Sequence, residues 1–303
     1  MRVLINGLPL FAERLALQLK KYDSNSSYIF LDTYNSKWAQ LKFFLLLPFS
    51  DCVISMNGVS DRSGSLDLVV KWKKKLVLQW MGTDALLAME RFANKTIDRK
   101  YMDYGHNFVD SEWLMDELKS IQLEPEYLHF KSVEASPNGH SYEKITVVSY
   151  VAENRQEFYG MTRIAEIARK FPEIEFHLYG LNSSETPTTK NVIFHGWVKA
   201  EVFIEVLRKT PVFLRLTDHD GFSVSVIEAL GCGCEVIMSL PFELTHLARN
   251  SEEVMEQMNK IIEKVKARGM KPNIEMIEIV KLRYNRETLA KNYIEKLKQI
   301  VSK

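Results

Sequence analysis

The sequence predicts an α/β protein built from two doubly wound parallel sheets. Three observations carry this. Short apolar runs of strand type alternate with amphipathic helical stretches along most of the 303 residues. The alternation breaks once, at Lys131–Glu143, in a turn-rich Ser-Pro-Asn-Gly-His-Ser segment, and then restarts. The length suits two domains of ordinary size, and strand–helix alternation argues for parallel sheets with helices on both faces.

Taken in order, Val3–Asn6 read as the first strand, followed by Gly7-Leu8-Pro9 and a helix through Lys21 with Phe11, Leu15 and Leu19 on one face. Next come strands at Tyr28–Leu31, Asp51–Met56, Leu76–Trp80, His106–Asp110 and Tyr127–Phe130. Between them lie helices near Ser36–Leu47, Leu66–Trp72 and Asp84–Phe92 and over Trp113–Ser120. After the break, strands at Ile145–Val151, Ile174–Gly180 and Val192–Phe194 alternate with helices at Gly160–Arg169 and Glu201–Arg208. From Ser251 onward the pattern is helix after helix, interrupted at Gly269 and Pro272.

Composition narrows the class. With 46% hydrophobic and 26% charged residues and a net charge of +1, the chain reads as a soluble globular protein with a sizeable core and no nucleic-acid partner. Cys52, Cys232 and Cys234 are an odd count with neither redox nor zinc spacing, which points to a reducing, cytoplasmic interior. The start leads straight into a strand without the apolar core of a signal peptide, and no apolar run is long enough to span a bilayer. No G-x-G-x-x-G follows the first strand, which argues against a nicotinamide dehydrogenase.

The most informative stretch is residues 211–239. Val212–Leu216 read as a strand, Ser223–Leu230 as a helix with Val226, Ile227 and Leu230 on one side, Gly231 and Gly233 as its stop, and Glu235–Met238 as a returning strand. In a parallel sheet the loop Thr217–Phe222 falls at the carboxyl end of a strand, and the helix after it offers N–H groups to an anion. Asp220 and Glu228 are separated by seven residues, within Asp220-Gly221-Phe222…Glu228-Ala229-Leu230…Gly233. This frame resembles the E-x(7)-E signature of retaining glycosyltransferases of GT-B fold (family 4-like, glycosyl transferases group 1), in the variant whose first acid is Asp. Two plainer readings stand beside it. Asp-Gly is a common turn, and Ser225-x-x-Glu228 is a capping box.

The resemblance implies a GT-B architecture of two Rossmann-like domains facing across a cleft, residues 1–135 on the acceptor side and 136–285 binding the nucleotide sugar. A last helix, 286–302, is expected to return to the first domain. It implies a hexosyltransferase that moves a sugar from a UDP- or GDP-linked donor to a glycan or lipid-linked acceptor, with neither cofactor nor metal. Asp220 then contacts the donor sugar, Gly221, Phe222 and Ser223 approach the phosphates, and Glu228 holds the ribose. Ala152–Gly160 is similar to the family's diphosphate loop, which places Arg155 on the leaving diphosphate as a second catalytic group. Tyr159 stands where many relatives carry Lys, and Arg215 is the candidate replacement. Phe194–Val198 resembles the nucleobase stretch, with Trp197 and Val198 as contacts, and His219 is a further donor-site candidate. Asp218-His219-Asp220 spells D-x-D, but it leads into the helix frame and is not read as a metal site.

On the acceptor side, Gln79–Asp84 resembles a Gly-Ser/Thr-Asp loop, giving Asp84, Thr83, Asn57 and Gly7 as candidates. Asp84 has a second reading as a helix N-cap. Met81 and Met56 stand where relatives often carry His, and together with Tyr159 they motivate a second reading, a catalytically silent GT-B protein that binds a sugar nucleotide or glycan; a sugar-nucleotide epimerase of the same fold is a third. Finally, Ser36–Phe49 is more apolar than one core-facing stripe requires, and Lys71-Trp72-Lys73-Lys74-Lys75 is basic. An interfacial helix on the inner face of a membrane and a solvated basic helix end are the two readings.

Overall fold

A computed structural model describes residues 1–135 and 141–302, so the centre of the expected linker, residues 136–140, lies outside the described residues. The chain divides into two compact units, Met1–Ser132 with Arg286–Lys303, and Val133–Asn285.

The first unit runs β1 (Arg2–Gly7), α1 (Pro9–Tyr22), β2 (Ser27–Phe30), α2 (Lys37–Leu46), β3 (Cys52–Met56) and α3 (Gly64–Lys71). It continues with β4 (Lys75–Gln79), α4 (Thr83–Ala93), α5 (Lys100–Tyr104), β5 (His106–Val109), α6 (Glu112–Ser120) and β6 (Glu126–Tyr127). Its sheet has the order β2-β1-β3-β4-β5-β6, and every neighbouring pair is parallel. Every residue of β3 is buried, as strands covered on both faces require.

The second unit runs β7 (Thr146–Tyr150), α7 (Met161–Lys170), β8 (Glu175–Tyr179), β9 (Val192–Phe194), α8 (Ala200–Arg208), β10 (Val212–Arg215) and α9 (Val224–Gly231). After these come β11 (Glu235–Met238), β12 (His246–Leu247), α10 (Ser251–Ala267) and α11 (Ile274–Arg283). This sheet is also parallel throughout, in the order β12-β11-β10-β7-β8-β9. The final helix, α12 (Arg286–Ser302), belongs to the first unit, where Tyr293, Ile294, Leu297 and Ile300 join the core formed by Ala12, Leu15 and Leu19 of α1. The Tyr293 hydroxyl donates to Gln79 Oε1 at 3.2 Å, at the end of β4.

The expected strand at Tyr127–Phe130 is cut short after Tyr127. The chain turns inward there: the ring nitrogens of His129 lie 3.3 Å from the Asp110 carbonyl and 2.6 Å from that of Lys131. The Lys131 ammonium is buried 2.8 Å from the Asp110 carboxylate. Burial lowers the pKa of His129. This polar cluster, rather than continued sheet pairing, holds the end of the first unit's main segment.

Each sheet has one position where strand order reverses, between β1 and β3 in the first unit and between β7 and β10 in the second. At such a position the loops leaving neighbouring strands diverge to opposite faces and open a crevice at the carboxyl ends. Of the expected site residues, Gly7 and Asn57 fall at the first reversal and Arg155 and His219–Ser223 at the second, whereas Thr83 and Asp84 open α4 after β4, Trp197 and Val198 follow β9, and Glu228 lies within α9.

Candidate functional site

In the second unit the loop after β7 and the loop after β10 meet at the reversal. Gly160 closes the first of these at φ +76°, a left-handed conformation that suits glycine, and a Cβ there would collide with the Leu216 carbonyl. The Asp218 N–H donates to the Phe158 carbonyl at 3.0 Å. Arg163, in the first turn of α7, donates to the Leu216 carbonyl at 2.6 Å and to Asp218 Oδ1 at 2.9 Å. Arg163 is not among the site residues expected from the sequence. Its place three residues after Gly160, at a helix start beside the loop, is the signal that could have found it.

Arg215 and Asp220 form the centre of this site. The guanidinium Nε donates to Asp220 Oδ2 at 2.8 Å, and a terminal nitrogen donates to the same oxygen. The guanidinium also lies 4.8 Å above the ring of Tyr159, the residue standing in the expected Lys position. Burial works against the arginine's charge, but the Asp220 carboxylate and then Tyr159 overcome it and raise its pKa. Arg215 is therefore present beside Tyr159, as a replacement clamp requires, yet its charge is already shared with Asp220.

Arg155, like Arg215, lies over an aromatic ring but differs from it in exposure and pairing. It lies on a short 3-10 turn, is exposed, and its side chain stacks over the Phe158 ring at 3.9 Å without a hydrogen bond or ion pair to any described residue. Its cation is available to an anion. Around α9, the helix begins after Ser223, whose hydroxyl lies 3.0 Å from that of Ser225. Ser225 is inside the helix and supplies no cap, so the expected Ser225–Glu228 capping box does not form. Glu228, one turn in, is half-buried. The Phe222 side chain packs inward between Phe242 and Tyr284, which leaves its backbone to the loop. His219 is buried, and Thr217 Oγ1 is buried without a hydrogen-bond partner among the described residues.

The loop after β9 is joined to the same region through residues 181–184. Gly196 exchanges backbone hydrogen bonds with Gly180 and Leu181, Asn182 donates to Glu153, and Ser184 donates to Gln156 at 2.6 Å. Trp197 is 72% exposed, so its ring is a surface feature and not a core one, and Val198 is half-buried beside it. His195 stacks on Tyr179 at 4.5 Å and touches His177, and burial together with His177 lowers its pKa.

In the first unit the reversal gathers Gly7, Asn57 and Asp84. Gly7 has φ +98°, and a Cβ on it would lie 2.7 Å from the Met56 nitrogen, so only glycine lets β1 pass β3 here. Asp84 is buried and accepts from the backbone N–H groups of Gly58 (2.5 Å), Met81 (2.9 Å), Gly82 (2.7 Å) and Ala85 (3.0 Å). Burial raises its pKa against the pull of those donors. Both oxygens are taken up by the chain's own backbone, which favours a scaffold role over acceptor orientation; the N-cap of α4 is Gly82, so Asp84 is not the expected N-cap but a first-turn residue that ties the helix start to the Gly58 loop. Thr83 is exposed, and the Asn57 amide turns back onto the Gly58 carbonyl at 3.0 Å. Asn6 Oδ1, at the end of β1, is buried without a partner among the described residues. Those residues contain no group of three or more His, Cys, Asp or Glu side chains placed to hold a metal ion.

No protein-family profile and no curated protein matches the chain. Solved structures do. The sucrose-phosphate synthase of Thermosynechococcus elongatus matches with a TM-score of 0.73 at 11% identity, over 100% of this chain and 99% of that one. Anabaena HepE, in complex with UDP and glucose, matches at 0.67 and 12% identity over 98% and 99%. The pneumococcal O-GlcNAc transferase GtfA, in complex with UDP and GlcNAc, matches at 0.57 and 11% identity over 83% of this chain, which spans only 57% of the length of GtfA. Two parallel six-stranded sheets with helices on both faces are the GT-B glycosyltransferase fold, and that is the fold of this protein.

Proposed function

We propose that the protein is a retaining glycosyltransferase that moves a sugar from a nucleotide diphosphate donor, UDP- or GDP-linked, to a glycan or lipid-linked acceptor, without a metal. The observation that carries this reading is the meeting of the β7 and β10 loops at the strand-order reversal, with the Arg155 side chain unpaired and Asp220 held by Arg215 in the loop that leads into α9. A leaving diphosphate concentrates negative charge, and fixed cations and helix-end N–H groups aimed at it stabilise the transition state. On this reading Arg155 meets the diphosphate together with the backbone of Gly221, Phe222 and Ser223. Asp220 holds sugar hydroxyls, Glu228 the ribose, and Trp197 with Val198 the base. His219 and Arg215 line the same loop, Arg215 fixing Asp220. The acceptor side keeps Gly7, Asn57 and Thr83, while Asp84 serves as scaffold.

UDP is the first nucleotide to test, since two of the neighbours were solved with it. Thermal stabilisation by a panel of UDP- and GDP-sugars identifies the donor, because a ligand of the native state raises stability by mass action. Slow hydrolysis of that donor, with the anomer of the released sugar read by NMR, then tests the reaction. An inverted product sinks retention, and stabilisation without turnover favours the silent binder. A 2-epimer appearing in place of released sugar selects the epimerase reading.

A further inference from the structure

We infer that the outer face of α2 is a docking surface for an anionic lipid bilayer. The helix is fastened to its unit through one buried side chain, Phe43, and by Leu47 in the 3-10 turn that follows. At 100° per residue, Trp38, Leu41 and Leu45 form a ridge opposite Phe43, and Lys37 and Lys42 stand on its two flanks. The ridge is open to solvent: Trp38 is 80% exposed and Leu45 57%, and Phe49 beyond the helix is 68% exposed. A helix lying on a soluble protein shows polar residues on that face, not a second apolar one. Phe44 extends the apolar surface sideways, edge to face with the half-exposed Trp72 at 6.2 Å.

The charges around the ridge choose the occupant. Residues 37–49 contain no acidic residue. Lys37, Lys42, Lys71 and Lys73 are exposed and make no ion pair with any described residue. Lys74 is different: it donates to the carbonyls of Pro48 and Ser50 at 2.7 and 2.9 Å and so anchors the end of the apolar segment. A second copy docking through a two-fold axis would set one lysine-flanked ridge against another, with like charges facing each other. An anionic bilayer satisfies both features. The apolar ridge enters the boundary of the acyl chains while the lysine stems reach up to phosphate headgroups. The inference stands apart from the proposed reaction, because no residue of α2 belongs to the candidate site.

The test is flotation of the full chain with vesicles of phosphatidylcholine alone and of phosphatidylcholine mixed with phosphatidylglycerol, at low and high salt. The expected result is capture by the mixed vesicles at low salt, about tenfold weaker on neutral vesicles and similarly weakened by high salt. Two double variants, Trp38→Ser with Leu45→Ser and Lys37→Glu with Lys42→Glu, should each lower capture by about tenfold. Their melting curves should stay as in the parent, since all four side chains are exposed. No capture of the parent chain overturns the inference, as does equal capture by neutral vesicles. Light scattering that shows a dimer, converted to monomer by the serine pair, assigns the ridge to a second copy instead.

Discussion

Asp84 and Asp220 are both acids at the carboxyl end of a parallel strand, one in each unit, and they are held in opposite ways. Asp84 is enclosed by four backbone N–H groups belonging to its own and a neighbouring loop. Asp220 is held by a side chain, Arg215, whose guanidinium rests on the Tyr159 ring. A carboxylate bound by backbone amides cannot let go without the loop changing shape, so it defines architecture. One bound by a side chain can trade that partner for another cation or for hydroxyl groups at the cost of a rotamer change. The difference teaches where chemistry can reside on two sheets of the same design.

The sharpest way to break the comparison is Asp84→Ala. Four buried N–H groups lose their acceptor, so unfolding by denaturant should show a loss of about 4 kcal/mol or more. An unchanged midpoint would show that Asp84 is not scaffold. The second effect concerns a third acid, Glu235, buried at the start of β11 and held by His246, Arg268, Lys264 and Asn273. Burial opposes its charge, but those partners win and bring its pKa to about 2. Its folded value lies below the unfolded one, so its contribution is complete above the unfolded value and fades as pH falls toward 2. That contribution is about 3 kcal/mol, and melting between neutral pH and pH 2 should lose it in Glu235 protein but not in Glu235→Gln.

Next come the site residues. Asp220→Asn and Arg155→Ala should each reduce sugar transfer roughly a hundredfold, about 2.7 kcal/mol of barrier. Arg155→Ala should leave the melting temperature in place, since that exposed side chain makes no hydrogen bond or ion pair with any described residue. If Asp220→Asn instead abolishes folding as Asp84→Ala is expected to weaken it, the two acids are alike after all. The smallest effect is Glu228→Ala, about tenfold in nucleotide affinity by calorimetry, close to what one hydrogen bond to a charged group contributes. Unaltered affinity would remove Glu228 from the site.

Much of the fold could be read from periodicity, because parallel strands buried on both faces are continuous apolar runs, as in Cys52–Met56. Elements too short to repeat their period left no such trace: α5 has five residues and β12 two. The shortened β6 was hidden for another reason, since the buried meeting of Asp110, His129 and Lys131 joins residues far apart in sequence. The site was legible as a set of loops and not as a set of contacts. The spacing of Asp220 and Glu228 pointed to the β10–α9 corner. Nothing local could reveal that Arg215 turns back on Asp220, that Phe222 faces the core, or that Trp197 stands in solvent.

The return of α12 to the first unit has a consequence for how the chain is made. The second unit is an insertion between β6 and α12, so the first unit's core is not complete until residues 286–302 have been synthesised. Until then the face of α1 carrying Leu15 and Leu19 lacks the cover that Tyr293 and Leu297 give it. On the ribosome the later-translated unit can finish folding first, because Val133–Asn285 contains both its sheet and its own helices. The order of folding then reverses the order of translation, and a chain stopped at Asn285 would carry one finished unit behind one that cannot close.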